Sequence, residues 1–301
     1  MTSARLMPTL PLALALCAII PARPVHATTA SPSGAVVAAN VPWEAVGDAD
    51  PTFTPDRHTV VFARGGGSTR RLYVAHWRDG AWSTAERAPF SGAWMDFEPT
   101  MAPDGSYLIF ISNRPSAPGG KPLDGYWGGK SRPGRGGNLW RVSLKNGTWG
   151  TPARLPDLVN VSAATYSPAV AADGSVYFTH PDPQTRHTRL YVSRCIDGRF
   201  RPPQPLSFSD GVTADYDPAV APDQSFLVFS SERAPTPPGS SGLFVAFATA
   251  GGWSAPVPLD STGIEARLAP DLRTLYFSGS DKHIHTLSLA ARLARPAAAK
   301  P

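Results

Sequence analysis

The chain has 301 residues, 42% hydrophobic and only 17% charged, with 33 prolines, 27 glycines and two cysteines. Its formal charge of +5 is spread without a dense basic stripe, which argues against a nucleic-acid partner. No stretch sustains a 3.6-residue apolar period, so helical architectures are set aside from the start.

Taken in chain order, Arg5 precedes an apolar stretch from Leu10 to Ile20, and Val25-His26-Ala27 follows. A basic start, a short hydrophobic segment and a small-x-small site predict a secretory signal peptide over 1–27. The apolar run falls short of the ~20 residues needed to span a bilayer. Leu16 stands where a lipoprotein needs a small residue before Cys17, so lipidation is not expected. Cleavage after Ala27 removes Arg5 and Arg23 and no acid, lowering the formal charge by two. The mature protein is expected to be periplasmic or secreted, with 28–39 as a linker. Cys195 is then its single thiol, which can form no intramolecular disulfide and is read as a buried structural residue.

From Asp50 onward one unit recurs five times. The copies open Asp50-Pro51, Glu98-Pro99, Ser167-Pro168, Asp217-Pro218 and Glu265-Ala266. They close on Asp56, Asp104, Asp173, Asp223 and Asp271, which are 48, 69, 50 and 48 positions apart. Each continues into a strand ending on an aromatic, such as Val60-Val61-Phe62 or Leu227-Val228-Phe229. A variable loop leads to a second strand, such as Leu72-Tyr73-Val74. Four copies then carry an aromatic at Trp82, Trp149, Phe200 or Trp253, read as inter-blade core, and a Pro-rich last strand. β-rich runs bounded by Asp, Gly and Pro turns, four per repeat of roughly 40–50 residues, predict propeller blades.

The fifth repeat lacks a fourth strand, and Val41–Val46 resembles the missing one. The expected fold is therefore all-β: a propeller over 40–290 with five four-stranded blades, the N-terminal strand closing the last against His283–Leu289. Six blades is the alternative, because the long second repeat has room for a degenerate one. Residues 291–301 read as a disordered tail.

The Asp-x-x-Pro-x-x-x-Pro-Asp pattern at Asp96–Asp104 and Asp215–Asp223 is followed by aromatic-x-Ser-x-Arg at Phe110–Arg114 and Phe229–Arg233. Together these resemble the TolB-type WD40-like β-propeller repeat across residues 48–289. The resemblance implies the fold; that repeat serves translocation factors, peptidase propellers and many exported proteins. TolB carries an additional α/β domain, so the likeness concerns the repeat class and not TolB itself.

An antiparallel meander brings the start of each first strand and the loop after each second strand to one face. Asp50, Glu98, Tyr166, Asp217 and Glu265 are thereby expected around the channel mouth, with loops 64–70, 112–137, 180–188 and 231–241 beside them. The carboxylates have two readings: each caps its own turn, or all converge to bind a basic group or a divalent cation. No other cofactor is expected. Segment 115–137 holds eight glycines and is read as an irregular, flexible flap. Tyr126 and Trp127 are its candidate ligand contacts, joined by the motif arginines Arg114 and Arg233. His283 and His285 share a strand face but lack a third ligand, so no metal site is assigned. Neither a Gly-x-Ser-x-Gly elbow nor His-Glu-x-x-His occurs. The leading expectation is a monomeric, non-enzymatic exported propeller binding a protein, peptide or envelope glycan, with no membrane span. The alternative is a carbohydrate hydrolase or lyase using mouth carboxylates.

Overall fold

The computed structural model describes residues 41–43 and 46–294. Five antiparallel sheets follow one another along the chain. Blade 1 comprises Ala49–Phe53, Thr59–Arg64 and Arg71–Arg78, with an outer strand in two pieces, Ala81–Trp82 and Glu86–Arg87. Blade 2 repeats this with Asp96–Met101, Tyr107–Ser112 and Asn138–Lys145, and blade 3 with Tyr166–Val170, Val176–Pro181 and Thr188–Ser193. Blade 4 comprises Asp215–Val220, Phe226–Ser231 and Gly242–Thr249. Blade 5 comprises Ile264–Leu268, Thr274–Ser278 and Ile284–Ser288. The innermost strands of successive blades touch in order, and that of blade 5 touches that of blade 1, which closes the ring. The architecture is a five-bladed β-propeller.

Middle strands are apolar on both faces because each blade is sandwiched between two others. Val60, Val61, Phe62 and Ala63 are all fully buried, as are Leu227, Val228 and Phe229. Alternate residues along such a strand serve opposite neighbours. Val61 and Ala63 join Leu108 and Phe110 of blade 2, while Val60 and Phe62 join Ala269 and Tyr276 of blade 5. Trp82, Trp149, Phe200 and Trp253 each pack, half-buried, in the core shared with the preceding blade, as expected. Their counterpart in blade 5 is replaced by Leu287, Leu289 and Leu293.

The closing segment differs from expectation. Residues 41–43 and 46 carry no strand ladder, and 44 and 45 lie outside the described residues. The segment nevertheless ties blade 5 to blade 1. The N–H of Gly47 donates to the carbonyl of Lys282 at 3.1 Å. Trp43 wedges edge-on against Phe53, Phe62 and Tyr276. A packed indole, rather than added backbone pairing, secures this junction. Blade 5 keeps three strands among the described residues and is followed by a short helix, Ala290–Leu293, where disorder was expected from 291. Cys195 is half-buried rather than buried. The signal peptide and linker fall outside the described residues.

Candidate functional site: the channel mouth and its cavity

The five repeat-opening residues sit inside the innermost strands, at one recurring irregularity. In blade 2 Phe97 pairs with Ile111 and Thr100 with Ile109, so one extra residue is accommodated; the other four blades do the same. Asp50, Glu98, Ser167, Asp217 and Glu265 occupy this bulge with φ of 57°, 48°, 51°, 54° and 60°. Left-handed backbone at a non-glycine residue is strained, by about 1–3 kcal/mol each, and such strain collects where a side chain must be aimed. Proline follows in four blades because the bulge leaves no ladder partner for the next N–H.

A hydrogen-bonded relay joins these side chains around the channel. Glu98 Oε2 accepts the backbone N–H of Ser167 at 2.6 Å, and Ser167 Oγ donates to Asp217 Oδ1 at 2.7 Å. Asp217 Oδ2 accepts the N–H of Glu265 at 2.6 Å. Glu265 accepts from Ser278 Oγ at 2.6 Å and from Arg70 Nη1 at 2.8 Å, reaching blade 1. Glu98 and Asp217 therefore cap the bulged backbone of the next blade rather than their own turns, while Glu265 is held by the side chains of Ser278 and Arg70.

Beneath the relay lies Arg267, buried, with Nη2 3.1 Å from Asp50 Oδ1. The two are poorly aligned, so both oxygens of Asp50 and Nη2 of Arg267 lack a hydrogen-bond partner among the described residues. Burial raises Asp50 well above the carboxylate range, and Glu265 adds to this. Burial, with the Asp217 charge beside it, pushes Glu98 up to about 7. Asp217 is also raised by burial. Burial would raise Glu265 too, but the Arg70 guanidinium and the hydrogen bonds from Ser278 and Arg70 hold it below its usual value.

Above this floor opens a cavity of about 840 Å³. Glu98, Ser167, Asp217 and Glu265 form its base, and Phe97, Tyr126, Trp127, Tyr166 and Tyr216 its aromatic walls. Asp50 lies below it. The flap is ordered, contrary to expectation: Gly125–Trp127 pairs with Lys130–Arg132 as a hairpin. Asp124 Oδ1 accepts the N–H of Gly134 at 2.6 Å, and Trp127 packs edge-on against Tyr166 at 5.9 Å. Gly125 is required there, since a Cβ would stand 2.6 Å from the Tyr166 hydroxyl.

Arg114 and Arg233 are not brought to the cavity. Each is clamped on a buried aspartate, Arg114 to Asp96 at 2.7 Å and Arg233 to Asp215 at 2.6 Å, and each stacks on its blade's own aromatics. The Ser-x-Arg motif is thus an intra-blade brace. Sequence reasoning missed Arg70, Arg186 and Arg267; Arg135 it met only as one of several basic residues of the flap. Arg267 had a signal: it stands where the other repeats have Thr52, Thr100, Ala169 and Ala219. Phe97, Tyr166 and Tyr216 also share one position, immediately before the bulge. The loop arginines had no such signal, because loops lie outside the repeat register. Among the described residues, no group of three or more His, Cys, Asp or Glu is arranged to hold a metal ion.

No family model and no curated protein matches this chain. Solved structures do. A protein assigned as a TolB from Agrobacterium tumefaciens superposes with a TM-score of 0.50 at 15% identity, covering 82% of this chain and 83% of that one. A thermostable family-43 glycoside hydrolase superposes with a TM-score of 0.51 at 11% identity, covering 80% and 88%. TolB from Acinetobacter baumannii matches with a TM-score of 0.45 at 16% identity over 73% of this chain. This chain spans 45% of that protein's length. At such identities the likeness is one of fold: what this chain shares with them is the β-propeller.

Proposed function

We propose that the protein is an exported binding propeller that takes the end of a peptide or glycan into its mouth cavity. The observation carrying this reading is the cavity itself, about 840 Å³, walled by aromatic rings over an acidic floor. That volume suits whole small ligands, and aromatic faces with a few convergent polar groups are what such sites use. The floor carboxylates are engaged in inter-blade hydrogen bonds, which favours recognition over chemistry. Calorimetric titration with short peptides and oligosaccharides tests the reading. Binding by wild type and its loss on deleting the hairpin 125–132 are expected; equal binding by the deletion variant would overturn it. Export rests on residues 1–27 alone, and the intact mass of secreted protein, expected to start at Thr28, checks it.

A second reading is favoured by one observation. Glu98 is pushed up to about 7 while Glu265 is held low, a separation that suits an acid and a base in carbohydrate hydrolysis. Hydrolysis of glycosides that disappears in Glu98→Gln would establish this reading in place of the first.

A further inference from the structure

We infer that the cavity ligand is a short zwitterionic peptide, with its ammonium on the floor at Glu98 and Asp217 and its carboxylate between Arg135 and Arg186. The inference rests on the binding reading above and specifies its ligand. Arg135 and Arg186 both line the cavity, one from the end of the flap and one from the blade 3 loop. The Arg135 guanidinium lies 5.3 Å from the Trp127 ring, and that of Arg186 4.1 Å from the Tyr126 ring. Neither makes a side-chain hydrogen bond or an ion pair among the described residues, and Nε of Arg135 is sealed from solvent with no acceptor. The third arginine that lines the cavity, Arg70, is engaged by Glu265. A guanidinium held flat on an aromatic ring keeps its fork free at the edge, where a carboxylate docks in its plane.

The floor has the opposite need. Four buried carboxylates, Asp50, Glu98, Asp217 and Glu265, face two guanidiniums, Arg70 and Arg267. Glu98 Oε1 makes no hydrogen bond among the described residues, and Glu98 lines the cavity, so an acceptor is open to the ligand. An ammonium offers three donors, and its charge beside Glu98 favours the ionised carboxylate that burial otherwise disfavours. A neutral saccharide would match neither end, and a uronic acid only the arginines. Phe97, Tyr166 and Tyr216 supply apolar wall between the two poles for peptide side chains.

The experiment is calorimetry at a pH of about 6.5, where a terminal amine is protonated. The probes are trialanine, its N-acetyl derivative, its C-terminal amide and a uronic-acid disaccharide. Trialanine is expected to bind, and each blocked form to bind about tenfold more weakly or worse. Arg186→Gln and Arg135→Gln are each expected to weaken trialanine about tenfold and to make the protein indifferent to amidation. Arg186 is exposed, so its variant should fold as wild type does, which circular dichroism checks. Equal binding of all three peptides overturns the inference, as does no binding of trialanine at millimolar concentration. Binding of the disaccharide alone overturns the peptide assignment and leaves the cavity reading standing. Binding of none of the probes counts against both.

Discussion

Ser167 of blade 3 is bound by carboxylates on either side: its N–H donates to Glu98 of blade 2 and its hydroxyl to Asp217 of blade 4. It is the one uncharged member of the bulge ring, and the missing charge is what lets two acids approach from neighbouring blades. Hydrogen bonds to carboxylates are worth more than neutral ones, about 1.5–3 kcal/mol. Ser167→Ala keeps the backbone donor and removes the hydroxyl. Urea denaturation should show a loss of about 1–3 kcal/mol, whereas Ser167→Asp, which adds a fourth acid to the relay, should fold poorly.

The raised Glu98 makes stability depend on pH. Its folded value of about 7 exceeds the usual 4.5, so between these the folded state binds more protons than the unfolded. Stability from this group is therefore present below the unfolded value and lost as pH rises through 7. Glu265, held low, works oppositely and weakens the fold only as pH falls below the carboxylate range. Thermal unfolding should show a maximum at mildly acidic pH and a decline as pH rises from about 4.5 to about 7, levelling off above neutrality. Glu98→Gln should flatten the decline; an unchanged slope would place the titration elsewhere.

Arg267 partners a carboxylate that has no hydrogen bond of its own among the described residues. Arg267→Met should leave Asp50 buried beside Glu265 without compensation, at a cost of about 3–5 kcal/mol. Asp50→Asn in the same chain should recover most of that loss, because Asn tolerates the left-handed backbone at φ 57° and carries no charge. Denaturant midpoints of the two single variants and the double variant measure the coupling.

Trp43 is 8% exposed and meets rings from both blade 1 and blade 5. Trp43→Ala should cost about 3–5 kcal/mol, as truncating a buried aromatic does. Since among the described residues of the segment only Gly47 pairs with the blade 5 edge, aggregation on mild heating is the expected accompaniment.

The hairpin of the flap stands outside every blade ladder. Deleting 125–132 and rejoining the ends should lower the melting temperature by only a few degrees. A large drop would mean that the flap is part of the folding core.

The blades were legible in the sequence because repetition makes each copy confirm the others. Val60–Phe62 and Leu227–Phe229 read as doubly buried strands, and the Pro at Pro51, Pro99, Pro168 and Pro218 marked one register. The same periodicity placed Asp50, Glu98, Asp217 and Glu265 on the channel. What it could not decide was direction: whether a carboxylate reaches back to its own turn or across to the next blade depends on the left-handed bulge, a backbone state set by inter-blade packing. Nor could it decide the walls. Arg135 and Arg186 meet the cavity only because an ordered hairpin presents Trp127 and Tyr126 to them, across a separation in sequence that carries no periodic signal. Local pattern determined the strands of this protein, and long-range contact between unlike loops decided its pocket.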